Sequence, residues 1–245
     1  MFKKNKFISK LSSPPSDRVI RAGFRKTEGV WLSGCLFVFA MSCENTSNYN
    51  HLKLTPIDSA QIELKNEKAV ASIKNAKSII QQGDMIVRTG NDFTSESLRK
   101  LSFTDKTYSH CGIASIENDT IFIYHALGGE WNPDEKLRRD PLELFCNPIE
   151  NRGFGIFSFK FDMLQKAKLD SIIKAWYKKG LMFDMKFDLT TNDRMYCAEF
   201  VCKAISLATN SSINFSTTKI NNFEFVAVDN LFLNGSCIEK LRIRY

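Results

Sequence analysis

The sequence predicts an α+β domain built on an antiparallel sheet, and three patterns carry that expectation. Two β-rich runs, 109–116 and 120–126, are joined by the polar Glu117-Asn118-Asp119 and read as a hairpin. Residues 162–180 and 197–208 repeat apolar side chains at helical spacing. Short apolar runs at 84–88, 154–161, 224–228 and 238–244 have the length of strands, and they do not alternate regularly with helices as a parallel sheet requires.

Taken in chain order, residues 60–82 carry Ile62, Val70, Ile73, Ala76 and Ile80 as a helical stripe, with Gly83 placed as a C-cap. The run Asp84-Met85-Ile86-Val87-Arg88 is a buried strand, and Thr94 or Ser95 opens a helix over 94–101. After the hairpin and the strand at 154–161, Asp162 caps a helix that buries Leu164, Ala167, Ile172 and Trp176 and ends at Gly180. Cys197 then starts a helix whose apolar face holds Phe200, Val201, Ala204, Ile205 and Ala208. The alternating run 183–189 reads as a strand or pocket wall, and nothing selects its two Asp as a glycosidase pair.

Charge separates a leader from this body. Residues 1–30 hold eight Lys/Arg against Asp17 and Glu28, and residues 31–43 hold none, which leaves 26 basic and 25 acidic residues elsewhere. A body so close to neutral has no electrostatic footprint for nucleic acid, despite the overall charge of +7. The apolar stretch 30–42 is too short for a bilayer span, which takes about 20 residues, but it suits an export signal. It ends in Ala40-Met41-Ser42-Cys43, which resembles a bacterial lipobox. The expected organisation is therefore an export leader (1–43), a polar tether (44–59) and a catalytic domain (60–245). The expected location is the bacterial cell envelope, with a membrane anchor through a lipid on Cys43.

Of seven cysteines, Cys111, Cys146, Cys197, Cys202 and Cys237 remain beyond the leader, an odd number that leaves at least one thiol unpaired within the chain. No CxxC pair occurs, so zinc ribbons and thioredoxin-like sites have no support. Cys111 and Cys202 read as core or disulfide residues. Cys197 differs, because a helix N-terminus lowers a thiol's pKa and makes it a better nucleophile. Beyond the tether only His110 and His125 can serve as its base, and the hairpin brings them together. This gives a candidate triad of Cys197 as nucleophile, His110 as base then acid, and His125 as orienting group. The competing reading makes all three ordinary core residues. No cofactor is expected: zinc held by the same three side chains lacks a fourth ligand.

The blocks Gly83-Asp84-Met85-Ile86-Val87-Arg88, Tyr108-Ser109-His110-Cys111-Gly112-Ile113 and Tyr196-Cys197-Ala198-Glu199-Phe200-Val201 resemble the permuted papain-like cysteine hydrolases of the NlpC-type superfamily, YiiX-like branch. The resemblance covers residues 80–210 and implies a sheet packed against the helix that bears the nucleophile. It assigns the nucleophile to Cys197, the base to His110 and the third polar member to His125. A His in that third place is similar to the related lecithin retinol acyltransferase-like proteins, whereas YiiX-like members often carry a carboxylate. Ala198 also departs from the frequent Ser or Thr.

Both branches imply acyl transfer through an acyl-enzyme, on an envelope peptide amide or on a lipid ester. A non-catalytic envelope binding module is the alternative from another class. Backbone N–H groups at the helix start would hold the oxyanion, with Tyr108 as a further candidate donor. Glu199 matches the family's Glu, and equally suits a helix's first turn. Asp84 shapes a turn and Arg88 pairs with an acid; both are candidate borders of the pocket.

Overall fold

Eight strands follow one another along the described part of the chain: β1 (Met85–Gly90), β2 (His110–Glu117), β3 (Thr120–His125), β4 (Arg138–Pro141), β5 (Asn151–Phe159), β6 (Thr218–Ile220), β7 (Phe223–Phe225) and β8 (Cys237–Arg244). Six of them form one antiparallel sheet in the order β4-β3-β2-β1-β5-β8, and β6 pairs with β7 separately. The helices are α1 (Pro56–Ala76), α2 (Phe93–Arg99), α3 (Leu142–Phe145), α4 (Met163–Lys179), α5 (Cys197–Ala208) and α6 (Val228–Phe232). This computed structural model describes residues 56–129 and 132–245. The expected leader, Cys43 and most of the tether lie outside the described residues. Among those residues no helix is long and apolar enough to cross a membrane.

The class is α+β, as the element order predicts. The sheet is apolar on both faces because period-two alternation sends successive side chains to opposite sides. One core joins Val87, Cys111 and Ile113 to α4, α5 and α6 through Ile173, Phe200, Val201 and Leu231. The other joins Ile86, Ala114, Ile123 and Ile156 to α1 and α3 through Ile73, Ala76, Leu142 and Phe145. The β2–β3 hairpin turns at Asn118 and Asp119, whose φ values of 46° and 62° suit the two-residue turns that match strand twist.

Several boundaries differ from the sequence expectation. α1 begins at Pro56, inside the expected tether, and stops at Ala76, so Gly83 (φ +84°) serves the turn into β1 instead of a helix cap. Ile62 and Val70 are exposed, and the buried stripe is Ala69, Ile73, Ala76 and Ile80. α2 is capped by Asp92, which accepts the Ser95 N–H at 2.9 Å. Asp162 does cap α4, exchanging hydrogen bonds with Gln165, and Gly180 ends it with φ +74°. The buried face of α4 is Leu169 and Ile173, while Leu164 is 82% exposed and Ala167 is exposed as well. Adjacent Ile172 and Ile173 let two helical stripes fit the same sequence, and contact with α5, including Trp176 against Phe200 at 5.8 Å, selects one.

The run 183–189 is a loop and not a strand. Asp184 accepts the N–H groups of Lys186 (2.8 Å) and Asp188 (2.6 Å), a local side-chain-to-backbone pattern that competes with strand pairing. Residues 224–228 likewise split into β7 and α6, where Asn230 caps the helix by accepting the Ala227 N–H at 2.7 Å.

The packing of α4 makes a direct test. Ile173→Ala should destabilise the domain by about 2–5 kcal/mol, and Leu164→Ala should stay within about 0.5 kcal/mol of wild type. Urea unfolding of the two variants checks this, and a larger loss at Leu164 would reverse the assigned face.

Candidate active site

The sulfur of Cys197 sits on the first residue of α5, where helix N–H groups have no partner within the helix. Tyr196 immediately before it is fixed on both sides: its hydroxyl accepts the Val226 N–H at 2.7 Å and its ring packs on Phe187 at 4.5 Å. Its own N–H is taken by Glu199, three residues on, which closes the helix start from the other direction. Cys197 is 8% exposed and therefore nearly but not wholly enclosed.

Strand β2 supplies the other half of the sulfur's surroundings. The β2–β3 pairing runs from Glu117↔Thr120 to Ile113↔Tyr124, so Cys111 lies beyond the last pair of that ladder. The Cys111 thiol and N–H, with the N–H groups of Ala198 and of Cys197 itself, favour the ionised form of the Cys197 sulfur. Together they hold the Cys197 thiol below its ordinary pKa against the opposing effect of burial. Burial drives the Cys111 thiol well above its own ordinary value, so it remains an S–H donor. Gly112 next to it admits no side chain: a Cβ would stand 2.7 Å from the Tyr124 carbonyl and 2.9 Å from the His125 Cβ.

His110 and His125 meet as the hairpin implies, with His110 Nε2 2.8 Å from His125 Nδ1. Both rings pack on Phe145 of α3, at 5.7 and 5.0 Å, and so stand on the face of β2 opposite α5. The peptide joining His110 to Cys111 separates the pair from the sulfur. His125 Nε2 lies 3.0 Å from Asp140 Oδ2, and Arg138 grips the same oxygen at 2.9 Å. Burial works to raise the Asp140 carboxyl, but its bonds to His125 and Arg138 hold it below its ordinary value.

These contacts set the tautomers. Ionised Asp140 accepts only, so His125 carries its hydrogen on Nε2 and offers an unprotonated Nδ1. His110 must then donate through Nε2, which leaves its Nδ1 lone pair free to take a proton. Burial, first, and the nearby Arg88 and Arg138 push His110 well below its ordinary pKa. Burial also brings His125 down to about 4, although its bond to Asp140 opposes the shift. Both rings are neutral near pH 7, so neither serves as the cation that could ionise Cys197. The thiol and N–H groups occupy that role.

The remaining candidates divide. Arg88 borders the histidine pair: its guanidinium stands 4.9 Å over the Phe145 ring and donates to the Phe145 carbonyl at 3.1 Å. Glu199 is fully buried and ion-paired to Lys203 at 2.8 Å, and burial lifts its carboxyl to about 7. It supports the helix start beneath Cys197. Asp84 does not border the site, because it lies at the far end of β1 from Arg88 and pairs with Lys240 at 2.8 Å. Tyr108 is not an oxyanion donor here: its hydroxyl points at Gly155 on β5, and its ring packs among Phe157, Phe232 and Arg242. Sequence reasoning missed Asp140, whose strand is a charged Arg138-Arg139-Asp140-Pro141 run without apolar alternation. It also missed Cys111 as a partner of the sulfur. Cys111, Cys146, Cys197, Cys202 and Cys237 are all free thiols. Among the described residues no group of three or more His, Cys, Asp and Glu stands in a metal-holding arrangement.

A six-stranded antiparallel sheet flanked by helices in this order is an architecture with a solved counterpart. The fold is YiiX-like: the chain is similar to the crystal structure of the metalloprotein YiiX from Escherichia coli O157:H7, DUF1105, with a TM-score of 0.56 and 18% identity over 67% of this chain and 98% of that one. No family model matches the chain, and no curated protein matches it.

The buried titrating groups predict opposite pH effects. A histidine with a depressed folded pKa stabilises fully above its unfolded value, about 6.5, and loses that contribution as pH falls, for His125 toward about 4. Glu199 works in reverse, because its ionisation subtracts stability as pH rises from its unfolded value toward about 7. His125→Gln should therefore flatten the fall in unfolding free energy between pH 7 and 5, and Glu199→Gln should steepen it. Unfolding curves at the two pH values for the three proteins check the signs.

Proposed function

We propose that this domain is a thiol-dependent acyl hydrolase that cleaves an amide, of peptide type, or an ester in the bacterial cell envelope, held there by a lipid on Cys43. The observation that carries the reading is the ordered hydrogen-bond line Asp140–His125–His110, which ends in an unprotonated Nδ1 on the residue before Cys111, a member of the core that holds Cys197. Such a line is what a general base needs, since it fixes both the tautomer and the ring.

In this mechanism the Cys197 sulfur attacks the acyl carbonyl and its proton passes by way of solvent to His110 Nδ1. Negative charge on the former carbonyl oxygen is met by N–H groups at the start of α5. Collapse of the tetrahedral adduct breaks the C–N or C–O bond, and the leaving amine or alcohol takes the proton from His110. Water then attacks the thioester, gives its proton to His110, and the acid departs with the thiol restored. Keeping the rings neutral suits this cycle, because His110 must accept a proton at the first step and give it up at the second.

One further reading has specific support, and a second does not fit the residues present. A His as third member favours a lipid ester as the acyl donor, by resemblance to the lecithin retinol acyltransferase-like proteins. The Escherichia coli protein is described as a metalloprotein, but the donors here do not fit a metal. Two ring nitrogens 2.8 Å apart share one hydrogen, and His125 Nε2 is committed to Asp140. That leaves Cys197 and one nitrogen of His110, short of the three or four ligands that zinc takes.

Trapping tests the proposal. Incubation with envelope peptide fragments and with short- and long-chain acyl esters should leave an acyl group on Cys197, seen by mass spectrometry, with Cys197→Ala as the blank. The donor that acylates decides between amide and ester. His110→Ala should slow acylation by about 10²–10⁴-fold, and Asp140→Asn by about tenfold or more. If no donor acylates the protein while Cys197 reacts with iodoacetamide no faster than a free peptide thiol, the binding-module reading replaces the enzyme.

A further inference from the structure

A cavity of about 440 Å³ opens where β1, β5 and β8 run side by side, and none of the candidate catalytic residues lines it. Four arginines do, Arg99, Arg152, Arg242 and Arg244, beside Thr89 and Thr107, and no acidic residue joins them.

Sheet register accounts for the gathering. Thr89 pairs with Gly153 and Gly153 with Arg244, so these three stand in one row across β1, β5 and β8. Arg242 is two residues before Arg244 and shares its face of the strand, with its guanidinium 5.3 Å over the Tyr108 ring. Gly153 is kept bare, because a Cβ there would meet the Ile243 carbonyl at 2.2 Å, and the row therefore has a gap at its centre. Arg99 comes from the last turn of α2, where its Nε donates to the Lys106 carbonyl at 2.6 Å.

The charges leave a surplus. Glu96 lies 2.8 Å from Arg99 and 3.6 Å from Arg152. Asp105 and Glu239 pair with Arg242 at 2.9 and 2.8 Å. Among the described residues Arg244 stands in no ion pair, so three carboxylates answer four guanidiniums. None of the three carboxylates lines the cavity, and its interior is left to an incoming anion.

We infer that this cavity binds a phosphate monoester group. Such a group carries a charge of about −1.5 to −2 and three acceptor oxygens, enough to engage several guanidinium forks at once. A carboxylate, with one charge and two oxygens, fills a single fork. Arginine suits the role because its planar donors match phosphate geometry and it stays protonated at every physiological pH. Small-molecule sites run from about 300 to 1,000 Å³, so a cavity of this size also has room for a small organic group beyond the phosphate. A soluble phosphate ester and the headgroup of a phosphate-monoester lipid share this chemistry. The inference does not require Cys197 to be a nucleophile.

Two probes on the full chain test it and separate the sources: calorimetric titration with glycerol 3-phosphate, and co-sedimentation with phosphatidylcholine vesicles with and without phosphatidic acid. Saturable binding of glycerol 3-phosphate assigns the site to soluble esters, and capture by the phosphatidic acid vesicles alone assigns it to a lipid headgroup. Arg244→Gln, which breaks no internal ion pair, should weaken the interaction by about tenfold or more, and Arg152→Gln should do the same. The control Lys178→Gln/Lys179→Gln removes two exposed charges from the last turn of α4 and should change binding by no more than about twofold. Circular dichroism establishes that each variant is folded before titration. Failure of both probes to bind overturns the inference. Binding that the lysine control weakens as much as the arginine variants overturns it too, because the attraction would then come from overall charge.

Discussion

The hydrogen bond between His110 and His125, 2.8 Å long, ties together the end of the β2–β3 ladder on which the site is built. β3 stops pairing with β2 at Ile113↔Tyr124, and the next outward-facing donor of β2 is left without a strand to serve. A buried N–H without an acceptor costs as much as a lost hydrogen bond. The start of α5 packs against β2 at this point, with Cys111 and Cys197 in one core. His125 closes β3 at the same place, and Gly112 lets the two strands approach there. The position of Cys197 is thus a product of sheet topology as much as of its own helix.

The electrostatics of the cluster follow from its burial. The two imidazoles lie near the guanidiniums of Arg88 and Arg138, so protonating either ring would add positive charge where it is least tolerated. Neutral rings are the stable state, and they are held in one tautomeric order by the Asp140 carboxylate at the end of the line. Thiolate character at Cys197 then has to come from donors that carry no full charge, which are the N–H groups and a second thiol. Glu199 is a buried acid in the same helix start. It keeps Lys203 as its partner, and by accepting the Tyr196 N–H it stiffens the turn that aims Cys197.

Much of this was legible in the sequence where a single local rule decides. Asn118-Asp119 between two β-rich runs specifies the hairpin, and with it the meeting of His110 and His125. The 3.6-residue pattern from Phe200 to Ala208 specifies α5 and puts Cys197 at its start. Illegible parts depend on partners distant in the chain. β4 has no apolar alternation, and is held by contacts such as Arg139 with Glu117 and with the Phe122 ring; Asp140 could not be recognised without it. The face of α4 was ambiguous because Ile172 and Ile173 are neighbours. Tyr108 sits two residues before His110 and looked close to the chemistry, yet the strand pleat and the Gly155 gap turn it toward β5. Cys111 resembled an ordinary core residue because its contact is with a helix far along the chain.

The crowding at Gly112 has a consequence for redesign. Position 113 points into an adaptable apolar core, where residues of similar bulk can be exchanged with repacking. Position 112 meets the carbonyl of a paired strand, which cannot rotate away as a side chain can. A library that varies this stretch would thus find freedom at position 113 but none at position 112, where a methyl group would part the two histidine-bearing strands.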